Sequence, residues 1–170
     1  EDKNWNSVWE SDYKYVEIND ICVVRAPFHK LNKNYDYEIV ISPKMSFGTG
    51  HHETTQLMMI SMMMFDFNKK IVLDVGSGTG VLSILSSLMG AKYVFSIDID
   101  ENAKINCDEN KLNNGCLNIH SLCTDVSGLD NKFFDIILAN LNRNIIIRES
   151  PYYIKKLKQN GLLILSGFFK

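Results

Sequence analysis

Leu73-Asp74-Val75-Gly76-Ser77-Gly78-Thr79-Gly80, or LDVGSGTG, is the stretch on which the fold turns. Before it and into it, KIVLDVG at 70–76 is a short apolar run with β-branched residues, the pattern of a buried strand. After it, GVLSILSSLMG at 80–90 has helical spacing and closes on Gly90. Three glycines at alternate positions therefore sit between a strand and a helix. Glycine lets the backbone turn sharply and approach a ligand with no Cβ in the way. The spacing is GxGxG rather than the GxGxxG of dinucleotide folds. In open α/β sheets, ligands sit beyond the carboxyl ends of the strands, where this loop lies.

Working outward, strand and helix alternate. YVFSIDI at 93–99 reads as a strand and ENAKINCDENKLNN at 101–114 as a polar-faced helix. NIHSLCTD at 118–125 is a weak strand and FFDIILAN at 133–140 a strong one. A helical stretch follows, in which Ser150-Pro151 reads as N-cap and first turn. GLLILSG at 161–167 is the last strand. This alternation predicts an α/β fold, a doubly wound, mostly parallel sheet with helices on both faces. Upstream, FGTG at 47–50 is a glycine-bearing loop. It leads into a helix from Glu53 to Phe65, capped by Thr54 or the residues just before it, with Glu53 at its positive end. The first 42 residues read differently. YKYVEI and ICVVRAPF are two strands around an Asn19-Asp20 turn, and Trp5 and Trp9 share a helical face that packs on the main domain. The expected division is N-terminal strands and linker over 1–45 and a ligand-binding domain over 46–170. The chain runs only three residues past Gly167, so a fragment is expected.

The chain has 170 residues, 45% of them apolar and 22% charged, which is one globular domain and not a disordered tail, collagen or a coiled coil. Lys and Arg number 18 against 20 Asp and Glu, a net charge of −2, which argues against a broad nucleic-acid footprint. The most apolar run, LMMISMMMF at 57–65, is far short of the roughly 20 residues of a spanning helix. No membrane partner and a soluble, cytoplasmic protein are expected. Its Met58, Met59, Met62, Met63 and Met64 read mainly as core packing. Cys22, Cys107, Cys116 and Cys123 form no CxxC pair and read as free thiols. Neither HExxH nor a three-ligand spacing occurs, so no metal is expected.

Two further positions join the glycine loop. Asp98 ends the second strand of the alternating region, where an acidic side chain accepts hydrogen bonds from both hydroxyls of a ligand ribose. Asp100 points elsewhere and reads as a helix N-cap. Asn140 ends the fourth strand and offers two donors and an acceptor at the sheet's carboxyl edge. His51 and His52 read as helix-start packing in preference to proton carriers.

In this order, the glycine loop, Asp98 and Asn140 resemble the motifs of class I S-adenosylmethionine-dependent methyltransferases. PKMSFGTGHHETT at 43–55 narrows the resemblance to the ribosomal protein L-eleven methyltransferases of the PrmA type. NWNSVWES at 4–11 and LSG at 165–167 are similar to that family too. The resemblance implies a Rossmann-like methyltransferase fold, S-adenosylmethionine as cofactor, and methyl transfer to lysine and N-terminal amines of ribosomal protein L-eleven. It implies that Thr55, Gly76, Gly78, Asp98 and Asn140 touch the cofactor, Asn140 near the transferring methyl. Phe47, Gly48, Thr49 and Gly50 would close over it, Asp74 would orient the glycine loop or reach the methionine ammonium through water, and Asp125 would lie near the adenine amine. The family normally carries a separate N-terminal recognition domain and two further strands, so the fold is expected to be truncated at both ends. The ANLN run lacks the NPPY-like tetrad of glutamine and base-amine methyltransferases, and GxGxG does not suit a nicotinamide dehydrogenase. Another amine methyltransferase, or a module that holds the cofactor without catalysis, remains the alternative.

Overall fold

The computed structural model describes residues 13–42 and 50–168. Three short strands come first: β1 (Val16–Ile18), β2 (Cys22–Arg25) and β3 (Tyr37–Val40). β1 and β2 are antiparallel about the expected turn, where Asn19 and Asp20 take φ of 49° and 55°. Asn and Asp tolerate that left-handed region better than most residues. β3 has no counterpart among the expected strands and pairs in parallel with β2. Then follow α1 (Glu53–Met62), β4 (Ile71–Val75), α2 (Val81–Leu88), β5 (Tyr93–Asp98), α3 (Glu101–Asn113), β6 (Ile119–Cys123), β7 (Phe134–Ala139), α4 (Arg143–Lys156) and β8 (Leu157–Leu165).

β4 to β8 make one sheet in the order β6-β5-β4-β7-β8, every pair parallel. The chain winds outward from β4 through β5 to β6, then returns to the other side of β4 as β7. Strand order therefore reverses between β4 and β7, and their carboxyl ends flank the crevice where such sheets bind ligands. The alternation along each strand feeds two cores. Val72, Val94, Ile119, Ile136, Leu138 and Ile164 face α1, α2 and the small sheet. Leu73, Val75, Ile97, Phe134, Ile137 and Ala139 face Ile146 and Tyr153 of α4. Met58, Met59 and Met62 belong to the first core, while Met64 is exposed. Ile18, Cys22, Val24, Ile39 and Ile41 join it, so the small sheet and the large one share a core.

Three boundaries differ from expectation for local reasons. α1 ends at Met62 rather than Phe65, because its last turn tightens: the Met64 and Phe65 amides donate to the carbonyls of Ser61 and Met62, three residues back. Ser150-Pro151 does not start a helix. Asn142 is the N-cap, its side chain accepting from the Ile145 amide, and Pro151 lies inside α4. Proline there leaves the Ile147 carbonyl without its helical donor. The Ser150 hydroxyl supplies one at 3.3 Å. The last strand starts at Leu157, directly after α4, but its first residues are irregular, with Asn160 at φ 61°. Regular pairing with β7 runs from Leu162 to Leu165.

α3 ties the layers together through asparagines. Asn114 accepts from the Val40 amide at 2.8 Å and donates to its carbonyl at 2.7 Å. Buried Asn110 accepts from the Ser42 amide and donates to the Thr79 carbonyl, both at 2.9 Å. One side chain thus links the segment after β3 to the glycine loop.

Candidate functional site

The glycine loop leaves β4 at Gly76, whose φ is 68°; Gly78 and Gly80 are at 53° and 81°. A Cβ on Gly76 would run into Leu141, and one on Gly80 would come within 2.5 Å of the Cys107 sulfur. The loop is small because positive φ and close neighbours both demand it. Its amides are held from β5: Gly76 and Ser77 donate to the Ile97 carbonyl at 2.9 and 3.0 Å.

Asp98, at the end of β5, completes that hold. One carboxylate oxygen accepts from the Gly78 amide at 2.9 Å and the other from the Asp100 amide at 3.0 Å. The residue is half-buried, and each oxygen, with one hydrogen bond accepted, has capacity for another. Asp100 caps α3, accepting from the Asn102 amide at 2.9 Å. Asp125 follows β6 and caps the turn at Val126–Gly128; hydrogen bonds from Ser127 hold its carboxyl below the usual range. The Thr124 amide donates to the Asp98 carbonyl, which places this turn beside the acid.

Thr55, Asn140 and Ser166 form a second cluster. Thr55, on the first turn of α1, is buried. Asn140 lies one residue past β7, and its Nδ2 donates to Thr55 Oγ1 at 3.0 Å. Ser166 lies one residue past β8, and its hydroxyl donates to Asn140 Oδ1 at 2.5 Å. The pairing of Ala139 with Leu165 puts the two residues side by side. Ser166 was not among the expected site residues; the parallel register of 133–140 with 161–167 is the signal that points to it. Gly50 is buried at φ 84° against Val24, at the entrance to α1. Phe47, Gly48 and Thr49, like Trp5 and Trp9, lie outside the described residues. His52 Nδ1 accepts from the Thr54 amide as the α1 cap, and His51 Nε2 bonds the Lys14 carbonyl at 2.8 Å.

Asp74 lies beneath the loop. It is 1% exposed and accepts from the Ser83 hydroxyl of α2 at 2.7 Å, so it joins the strand to the helix that the loop connects. Burial pushes its carboxyl from the usual 3.8 up to about 6, against the opposing Ser83 hydrogen bonds. The unfolded chain releases this proton near pH 4, the folded chain only near 6. Between those values the unfolded state binds fewer protons, so this group's contribution to stability falls as pH rises through the window. Asp74→Asn keeps an acceptor for Ser83 and removes the titration. Urea unfolding at pH 4.5 and 7.5 is expected to show a smaller loss of stability on raising the pH in the variant than in the wild type. Equal losses would show that Asp74 does not carry the dependence.

Among the described residues no group of three or more His, Cys, Asp or Glu is placed to hold a metal ion. No described helix is long and apolar enough to cross a membrane. The four cysteines are free thiols.

The model of the family described as Ribosomal protein L11 methyltransferase (PrmA) matches residues 1–170. The ribosomal protein L11 methyltransferase of Porphyromonas gingivalis is 45% identical over 170 residues, covering 99% of this chain and 59% of its own length. That of Phocaeicola vulgatus is 40% identical over 175 residues, covering 99% of this chain and 61% of its own. The chain thus spans about three-fifths of these curated relatives. A crystal structure of a ribosomal protein L11 methylase from Lactobacillus delbrueckii subsp. bulgaricus superposes with a TM-score of 0.83 at 27% identity, over 91% of this chain and 80% of that one.

Proposed function

We propose, because the chain belongs to the Ribosomal protein L11 methyltransferase (PrmA) family, that it is the methyl-transfer part of an enzyme that methylates ribosomal protein L11 from S-adenosylmethionine. The observation that carries this reading is the placement of Asn140, bonded to Thr55 and Ser166, across the same crevice as the glycine loop held by Asp98. Residues 46–170 are the cofactor-binding domain in this reading, and 1–45 are its N-terminal strands and linker. The protein works in the cytoplasm on a ribosomal protein, with neither a membrane nor a nucleic acid as direct partner.

The donor set fits the cofactor. Asp98 has a lone pair on each oxygen for the two ribose hydroxyls. Gly76 and Gly78 offer backbone without side chains. Thr55 accepts from Asn140, and its own hydroxyl hydrogen is left to donate to the methionine end. The cofactor, when bound, supplies a sulfonium methyl whose C–S bond breaks toward sulfur as the amine lone pair forms the new C–N bond. The protein's part is alignment, because holding the nitrogen in line turns a bimolecular encounter into a positioned one. The acceptors are lysine side chains and an N-terminal amine. A free lysine is neutral about once in a thousand molecules near pH 7, so the site must favour the neutral form. A pocket shielded from water does so by disfavouring charge. Asn140 Oδ1 then accepts an N–H of the neutral amine and leaves its lone pair facing the methyl.

The test is to incubate the full-length protein and labelled S-adenosylmethionine with ribosomal proteins from cells lacking the enzyme. Label is expected in ribosomal protein L11, and hydrolysis should release methylated lysine or a methylated terminal residue. Label in RNA, in another protein, or in none would overturn the reading.

A further inference from the structure

We propose that Ser166 is a positioning residue for methyl transfer, its hydroxyl setting which way the Asn140 amide faces the acceptor amine. This rests on the methyl-transfer reading above.

The two ends of an asparagine amide have nearly the same shape and opposite hydrogen-bonding character. At the end of β7 that choice decides the chemistry. With the carbonyl oxygen toward the amine, Asn140 receives an N–H and leaves the nitrogen lone pair free. With the NH2 group there instead, a donor would face a donor, or would bind the lone pair that must attack the methyl. The distances select the first arrangement. Ser166 Oγ lies 2.5 Å from one end of the amide and Thr55 Oγ1 lies 3.0 Å from the other. O–H···O bonds run at about 2.5–3.0 Å and N–H···O bonds at about 2.7–3.2 Å. The short contact suits a hydroxyl donating to Oδ1, and the longer one suits Nδ2 donating to Thr55. A reversed amide would force an N–H donor closer to Ser166 than such bonds allow.

The backbone holds Ser166 at that spot. Its amide donates to the Ala139 carbonyl at 3.2 Å, the last rung between β8 and β7. Gly167 follows at φ 84°, and a Cβ there would collide with the Leu141 carbonyl. The chain after Ser166 is thus pressed against the chain after Asn140. Thr55 alone does not select the orientation, because a 3.0 Å contact suits either end of the amide, whereas the 2.5 Å contact of Ser166 suits only the oxygen. With both hydroxyls in place, one donor and one acceptor of Asn140 are used. One N–H and one oxygen lone pair remain, and the lone pair is the one the acceptor amine needs.

The test compares Ser166→Ala and Ser166→Thr with the wild type in the full-length protein, using ribosomal protein L11 and S-adenosylmethionine. Ser166→Ala is expected to lower kcat about fivefold to thirtyfold, the effect of one lost hydrogen bond at a reacting centre, with cofactor Kd changed less than about twofold. Ser166→Thr keeps the hydroxyl and should restore most of the loss. The second readout needs no turnover: the Asn140 side-chain NH2 resonances of the folded protein should move in Ser166→Ala and return toward wild type in Ser166→Thr. Unchanged kcat in Ser166→Ala would overturn the positioning role, as would unmoved NH2 resonances. If Ser166→Ala does not fold, Ser166→Cys, which keeps the volume and weakens the donor, takes its place with the same two outcomes. Wild-type protein that transfers no methyl would defeat the function proposed above, while the amide resonances would still decide whether Ser166 orients Asn140.

Discussion

Asp98→Ala is expected to weaken S-adenosylmethionine binding by roughly 2–3 kcal/mol, about 30- to 150-fold in Kd, because in the proposed site it would remove charge-assisted hydrogen bonds to the ribose. The structure adds a second reason. The carboxylate also accepts from the Gly78 and Asp100 amides, so its loss unpins the glycine loop and the entrance to α3 together. Asp98→Asn does not repair this, since its NH2 group would have to face one of two backbone donors. Asp100→Ala is the control. It removes the cap of α3 and is expected to lower stability by about 1 kcal/mol while Kd changes little. Calorimetric titration of both variants, with unfolding curves alongside, separates the roles. An Asp98→Ala variant that folds and binds with unchanged Kd would rule out the ribose contact.

What the sequence revealed was what depends on period and local chemistry. β4, α2, β5, α3 and β7 were legible because apolar runs and glycine stops mark their ends. The doubly wound class followed from their alternation. The places of Gly76, Asp98 and Asn140 at the carboxyl ends of β4, β5 and β7 were legible because each stands where an apolar run stops. What escaped depends on contacts far along the chain. β3 is four residues long with one buried side chain, and it is a strand only because β2 pairs with it and Asn114 receives its edge. Asn110 and Asn114 read as polar positions on a polar helix, although Asn110 is fully buried and bridges two loops. Ser150-Pro151 misled for the opposite reason: a strong local signal was overridden by Asn142 and by the Ser150 hydroxyl acting inside the helix. Ser166 meets Asn140 only through the register of β8 on β7, 26 residues from its partner.

Asn140→Ala in the full-length enzyme is expected to lower turnover about tenfold to a thousandfold, in line with lost hydrogen bonds at reacting centres, while cofactor Kd changes by a few-fold at most. The asymmetry follows from position. Asp98 and the glycine loop hold one another from β5 and lose nothing when Asn140 is truncated. Thr55 is buried on α1 and keeps its place without the Asn140 amide. What disappears, in the role proposed for Asn140, is the oxygen that would receive the acceptor N–H, an interaction that matters most when the nitrogen must be neutral and aimed. Asn140→Asp sharpens the argument. It preserves the shape but puts a negative charge beside the amine, which favours the protonated, unreactive form. That variant should bind acceptor no more weakly than wild type and still turn over slowly, recovering part of its rate as pH rises toward the amine's own pKa. Steady-state kinetics at saturating cofactor across pH 7–9.5, with a binding titration of each variant, decides the matter. If affinity for the cofactor collapsed while turnover at saturation stayed normal, Asn140 would be a cofactor anchor, and neither it nor Ser166 would be aiming the amine.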